Sequence, residues 1–169
     1  MRRALLAGAL AALAVAAAPS GAATTACRPA SLRATFTLVR GSGAAGHVTY
    51  RLRLTNRGAH ACVVSGRPAL RLLDRRGRQL PTSQVADRPG TGTAALITIA
   101  HARAAVSDVQ LSPDVPGPGE QAPGPCEPRA YRVRVTIASP GGGALVAPVR
   151  PATPVCEHGR LVVGLLHAA

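Results

Sequence analysis

Two-residue alternation of apolar and polar side chains recurs along this chain, and sustained helical periodicity is absent beyond residue 26. Leu32, Ala34, Phe36 and Leu38 fall on one face of a predicted strand, with Arg33, Thr35 and Thr37 on the other. The glycine-rich stretch 41–46 turns the chain. Val48, Tyr50, Leu52 and Leu54 then alternate with Thr49, Arg51, Arg53 and Thr55, the cleanest strand pattern present. Asn56-Arg57-Gly58 reads as a turn, with Asn56 and Gly58 chosen for their tolerance of positive φ. Shorter strands are predicted at Cys62–Val64 and Ala69–Leu73, before the turn Asp74-Arg75-Arg76-Gly77. Residues 94–99, 104–111, 131–137, 144–149 and 161–166 supply the rest. About eight to nine short strands with frequent turn signals predict an all-β fold, an antiparallel immunoglobulin-like β-sandwich.

The first residues differ from all this. Arg2-Arg3 is a short cationic start, and residues 4–18 contain only Ala, Leu, Val and Gly. Pro19-Ser20-Gly21 ends the run and small residues follow. This is the build of a secretory signal peptide over residues 1–26, with cleavage expected after Ala18, Ala23 or Ala26. The apolar run is shorter than the roughly 20 residues a spanning helix needs, so no transmembrane span is expected in the mature form. A lipoprotein anchor at Cys27 is less favoured, because Thr24-Thr25-Ala26 lacks the leucine that normally opens such a signal. Residues 27–169 are then one exported domain, expected as a monomer.

The four cysteines fit that compartment. No two have the close spacing of a zinc ribbon, and the redox motif C-x-x-C is missing. Of the three possible pairings, Cys27–Cys62 and Cys126–Cys156 close the local loops. Either bridge would stabilise by roughly 3–4 kcal/mol. Such bridges matter here, because the core must be built from valine and leucine with few large rings.

The segment Leu54-Thr55-Asn56-Arg57-Gly58-Ala59-His60-Ala61-Cys62-Val63-Val64-Ser65-Gly66-Arg67-Pro68 has the form L-T-N-x-G-x-x-x-C-x-x-x-G-x-P. It continues into Leu72-Leu73-Asp74-Arg75-Arg76-Gly77-Arg78-Gln79-Leu80. Pro151-Ala152-Thr153-Pro154-Val155-Cys156 and Gly159-Arg160-Leu161 add further matches. Together these resemble a secreted actinobacterial family, the domain of unknown function 4232. The resemblance implies an exported or lipid-anchored β-sandwich and no established activity. Arg67 stands where that family commonly carries an aromatic, which exchanges a packing contact for a charge.

Composition narrows the chemistry. All 20 basic residues are arginine, against 7 acidic ones, for a formal charge of +13. The absence of lysine excludes the Walker-type phosphate loop and Schiff-base catalysis. Three aromatic residues (Phe36, Tyr50, Tyr131) are too few for base-stacking platforms. No serine lies in G-x-S-x-G, and His47, His60, His101, His158 and His167 are scattered among turns, so no catalytic residue, metal site or cofactor is expected. Asp108, Asp114, Glu120 and Glu127 fall in an arginine-free stretch, 104–128, whose proline-rich part (112–125) reads as a solvated flap. Arg33, Arg51, Arg53, Arg132 and Arg134 occupy the polar faces of their strands and are the candidate anion-binding residues. Arg67, Arg71, Arg75, Arg76, Arg78 and Arg88 gather about the Asp74 turn.

The functional expectation is a secreted, non-catalytic module, associated with the cell envelope, that binds anionic wall polymers or lipid head groups. Specific nucleic-acid binding is not expected of an exported chain. The alternative is an extracellular protein-binding module, an inhibitor or adhesin, using loop 112–125. A third is an undetected hydrolase, which would need histidine and carboxylate side chains to meet in a pocket.

Overall fold

The computed structural model describes residues 25–90, 94–121, 126, 128–138 and 143–169. The expected signal peptide therefore lies almost wholly outside the described residues, as does part of loop 112–125. The fold is all-β. Eleven strands are described: β1 (Leu32–Leu38), β2 (Val48–Asn56), β3 (Cys62–Val64), β4 (Ala69–Leu73), β5 (Ser83–Ala86), β6 (Ile97–Ile99), β7 (Ala104–Leu111), β8 (Ala130–Thr136), β9 (Ala144–Thr153), β10 (Arg160–Val163) and β11 (His167–Ala168). Disulfides join Cys27 to Cys62 and Cys126 to Cys156.

The alternating strands formed because each buries one face. In β1 and β2 the antiparallel register sets Phe36 opposite Leu52 and Ala34 opposite Leu54. Phe36 and Tyr50 stack with ring centroids 5.1 Å apart. Leu70, Leu72, Val109, Val133, Val135, Ala147 and Leu161 complete an almost dry interior. Burial pushes the Tyr50 hydroxyl up from its ordinary value, and that hydroxyl donates to the Pro151 carbonyl at 2.8 Å. The two-stranded sheet β3–β6 sits apart from the main path, and Cys62, Val64 and Ile99 seal it against the same core.

Two separate layers were expected, whereas nine strands lie in one sheet, ordered β4-β8-β9-β1-β2-β7-β10-β5 with β11 on β7. Strand β9 explains this. Its first half pairs with β8 from Ala144 to Pro148, its middle pairs with β1 in parallel at Val149 and Arg150, and its end meets β8 again at Thr153, opposite Ala130. One long strand changes neighbours and carries the sheet round a corner, curling it into a nearly closed, barrel-like form. The polar strand β5 escaped sequence reading because it has no alternation of its own. It is held by parallel pairing to β10, Arg160 opposite Ser83 through Val163 opposite Ala86.

The edges β4 and β5 meet through side chains. Gln84 Oε1 accepts the Leu70 N–H at 2.9 Å, and its Nε2 donates to the Pro68 carbonyl at 2.9 Å. Thr82 Oγ1 accepts the Leu72 N–H and donates to the Leu80 carbonyl, both at 3.0 Å. Two short side chains thus imitate a strand along an edge that would otherwise stay open.

Asn56 corrects the turn reading. Neither it nor Gly58 has positive φ. Asn56 is fully buried at the end of β2, where its Nδ2 donates to the carbonyls of His60 (2.8 Å) and Ile99 (2.9 Å). Its Oδ1 accepts the Gly58 N–H at 2.8 Å. Gly58 is small because a Cβ there would lie 3.2 Å from both Asn56 Oδ1 and Ser31 Cβ. The Asp74 turn behaves as expected, with Gly77 at φ 82° and its N–H bonded to the Asp74 carbonyl.

Replacing Asn56 with Ala strands two carbonyls and one N–H, and should cost about 3–5 kcal/mol of unfolding free energy in urea titrations. Gln84→Leu should cost about 1–3 kcal/mol and raise hydrogen exchange at the Leu70 amide. An unchanged Leu70 amide would show that the sheet edge does not depend on Gln84.

Candidate functional site

The strands β1, β2, β4, β8 and β9 contain no acidic residue, yet seven arginines project from their outer faces: Arg33, Arg51, Arg53, Arg71, Arg132, Arg134 and Arg150. The candidate set from sequence is distributed around the corner at β9 rather than gathered on one plane. Arg132 and Arg134 lie on the β8 side, with Arg71 directly opposite Arg134 across the β4–β8 pair. Arg33, Arg51 and Arg53 lie on the β1–β2 side. Arg51 is neutralised, because its Nε and Nη2 grip both oxygens of Asp108 at 2.7 and 3.0 Å. The other six have no carboxylate partner among the described residues.

The arginines around the Asp74 turn have different roles. Arg78 pairs with Asp74. Arg75 lies 4.6 Å over the Tyr131 ring and donates to its hydroxyl. Arg67 donates to the Val163 carbonyl at 2.6 Å and reaches Asp87 at 3.2 Å. These three are engaged by neighbouring groups.

At the corner the basic band is indented. Pro148 and Pro151 have no N–H to give a ladder, and they bracket the only two residues of β9 registered with β1. Beside that pairing lies a slot of about 260 Å³ lined by Arg33, Ala34, Thr35, Phe36, Thr37, Pro148 and Arg150. Ala34 and Phe36 turn their side chains into the core, so they present main chain to the slot. Arg150 was missed from sequence because it stands between proline and valine in a stretch with weak alternation.

A larger cleft, about 720 Å³, is lined by Asp87, Arg88, Asp108, Gln110 and His167 over a floor that includes Val162 and Leu166. Histidine and carboxylates do meet here, as a hydrolase would require. Both carboxylates, however, are committed to arginine. The Arg51 hydrogen bonds hold the Asp108 carboxyl below the usual carboxylate value, against its partial desolvation and with help from His167. Asp87 Oδ1 takes both Arg67 and the Arg88 N–H. A carboxylate so stabilised is a poor general base.

Loop 112–125 is not a solvated flap at Glu120. That side chain is 3% exposed and its carboxylate sits in a cup of main-chain N–H groups. Gly117 and Glu157 donate to Oε2 at 2.7 and 2.8 Å, and His158 donates to Oε1 at 2.5 Å. The cup exists because Glu157, His158 and Gly159 all adopt left-handed φ (54°, 55° and 76°). For the two non-glycine residues this conformation costs roughly 1–2 kcal/mol each, which the bound carboxylate offsets. Gly159 permits the turn, since a Cβ there would collide with the Pro81 carbonyl. The Cys126–Cys156 bridge ties the same turn. Glu120, Cys126 and Cys156 lie close enough to share an ion, but both sulfurs are in the disulfide.

The family model described as domain of unknown function (DUF4232) matches residues 27–167. No curated protein and no solved structure matches the chain.

Burial pushes the Glu120 carboxyl up, but the hydrogen bonds from Gly117, His158 and Glu157 outweigh it and hold it below the ordinary glutamate value. Its stabilisation is therefore complete above the ordinary pKa of about 4.3 and is lost as pH falls through the lower folded value. Protection factors of the Gly117, Glu157 and His158 amides should drop in that acid range. Glu120→Gln should lower them at neutral pH and remove the acid transition; a transition that survives in this variant must come from another group.

Proposed function

The chain belongs to the DUF4232 family, and we propose that it works as an exported, non-catalytic module that binds anionic polymer at the cell envelope through its arginine band. The observation that carries this reading is the band itself: six outward arginines without a described carboxylate partner, on five strands without an acid. Uniform basicity would scatter acids among them. Away from these strands, acids pair with arginine, as in Arg78–Asp74 and Arg160–Glu157. Clustered guanidinium groups raise the local concentration of a polyanion and grip its oxygens through rigid forks.

Export is supported by the leader and by two disulfides, which persist in oxidising compartments. Among the described residues no helix is long and apolar enough to cross a membrane. The Cys27 sulfur is bonded to Cys62, so it offers no thiol for lipid attachment. We also read β4–β8–β9 and β1–β2–β7–β10–β5 as two immunoglobulin-like layers sharing the corner strand. Thr25 belongs to the folded unit, because its carbonyl accepts the Val63 N–H at 2.9 Å. The leader is accordingly cut after Ala18 or Ala23.

Retention on envelope fractions should fall steeply as salt rises, and Arg53→Gln with Arg132→Gln and Arg134→Gln should weaken it further. Retention indifferent to salt would overturn the electrostatic reading. N-terminal sequencing of the exported protein should begin at Thr24 or earlier; a start at Cys27 would refute the assigned cut.

A further inference from the structure

We infer that the slot between β1 and β9 is a subsite for a phosphodiester group, the point at which a phosphate-bearing polymer is gripped; this rests on the envelope-binding reading above. Register places Arg150 beside Thr37 on the neighbouring strand. Arg33 lies four residues back along β1, about 13 Å at strand rise. Both nevertheless line the same recess. Guanidinium groups thus approach one cavity from two strands, and the Thr35 and Thr37 side chains project from the β1 wall between them.

The donor arrangement selects the anion. A carboxylate is planar, and a single arginine fork can satisfy both its oxygens, as Asp108 does with Arg51. A phosphodiester is tetrahedral, with non-bridging oxygens pointing in different directions. Donors on opposite walls, two forks and two hydroxyls, suit that shape. The recess, at about 260 Å³, is smaller than the usual 300–1,000 Å³ of sites for drug-sized ligands, so it admits a group of a polymer rather than a large compact molecule. Its walls also favour a polymer over a bilayer. The only large exposed apolar side chain on these two strands is Val146, too little to insert among acyl chains.

Pro148, which lines the slot, has no N–H to extend the β1–β9 ladder beyond Val149 and Arg150. Tyr50 fixes the corner from inside through its bond to Pro151.

The test is an NMR titration of the disulfide-bonded protein with dimethyl phosphate, inorganic phosphate and acetate at low salt. Both phosphate probes should give saturable shifts confined to residues 33–37 and 148–150, with acetate clearly weaker. Arg33→Ala with Arg150→Ala should weaken dimethyl phosphate binding about tenfold or more. The paired lysine variant, which keeps charge and loses the fork, should recover only part, and Arg76→Ala, in the Asp74 turn away from the slot, should leave the slot shifts unchanged. Shifts spread evenly over all exposed arginines would overturn the subsite. Envelope retention separates the two readings. If retention survives in the Arg33/Arg150 double variant but falls when Arg53→Gln, Arg132→Gln and Arg134→Gln are combined, the band reading stands and the slot fails. If the wild-type protein is not retained at low salt, the band reading fails. Equal capture by phosphatidylglycerol vesicles and by a soluble glycerol-phosphate polymer, both lost in the double variant, supports phosphodiester recognition; capture by vesicles alone overturns the polymer assignment.

Discussion

A curled sheet of short strands has two edges, and this fold depends on how they meet. Gln84 and Thr82 supply the contact. Their side chains take the N–H groups of Leu70 and Leu72 and reach the carbonyls of Pro68 and Leu80. Without them β4 would expose main-chain donors beside an aliphatic core. That core has little reserve, since only Phe36 and Tyr50 bring buried rings. Edge closure and two disulfides do what large aromatics do in bulkier all-β domains.

The same economy of pairing produces the surface features. Prolines in β9 have no N–H to extend the ladder with β1, and the slot lined by Arg33 and Arg150 lies beside that pairing. Paired charges mark where the fold is braced, as at Arg67–Asp87 and Arg78–Asp74. Apart from Arg51, which grips Asp108, the arginines on the acid-free strands have no described carboxylate partner. Among the described residues Glu120 is held by main-chain donors instead of arginine, and it anchors part of the loop that the sequence suggested was a solvated flap.

Much of the strand framework was readable because alternation reflects a local fact: one side of each strand is dry. Strands β1, β3 and β4 match their expected limits for that reason, while β7 also matches although its first four residues are all buried. Strand β5 was not readable, since Ser83-Gln84-Val85-Ala86 has no period of its own and is ordered only by β10. Asn56 carried a visible signal with the wrong mechanism attached. Its residue type suggested a turn, whereas its buried amide bonds carbonyls at positions 60 and 99. The slot was invisible for a related reason, because Arg33 and Arg150 are far apart in sequence and meet only through a parallel pairing.

The sequence by itself determined the all-β class, the arginine-only basicity and the absence of a lysine chemistry, because these follow from residue type and a period of two. It also pointed to the family, through spacings preserved around Asn56 and Cys62. Tertiary structure decided which charges were consumed and which were left facing solvent. It turned five arginines expected on one face into a band around a corner, neutralised Arg51 with Asp108 and brought Arg150 beside β1. The reason is geometric. Alternation fixes which side of a strand a residue faces, while only strand order and register fix what lies next to it.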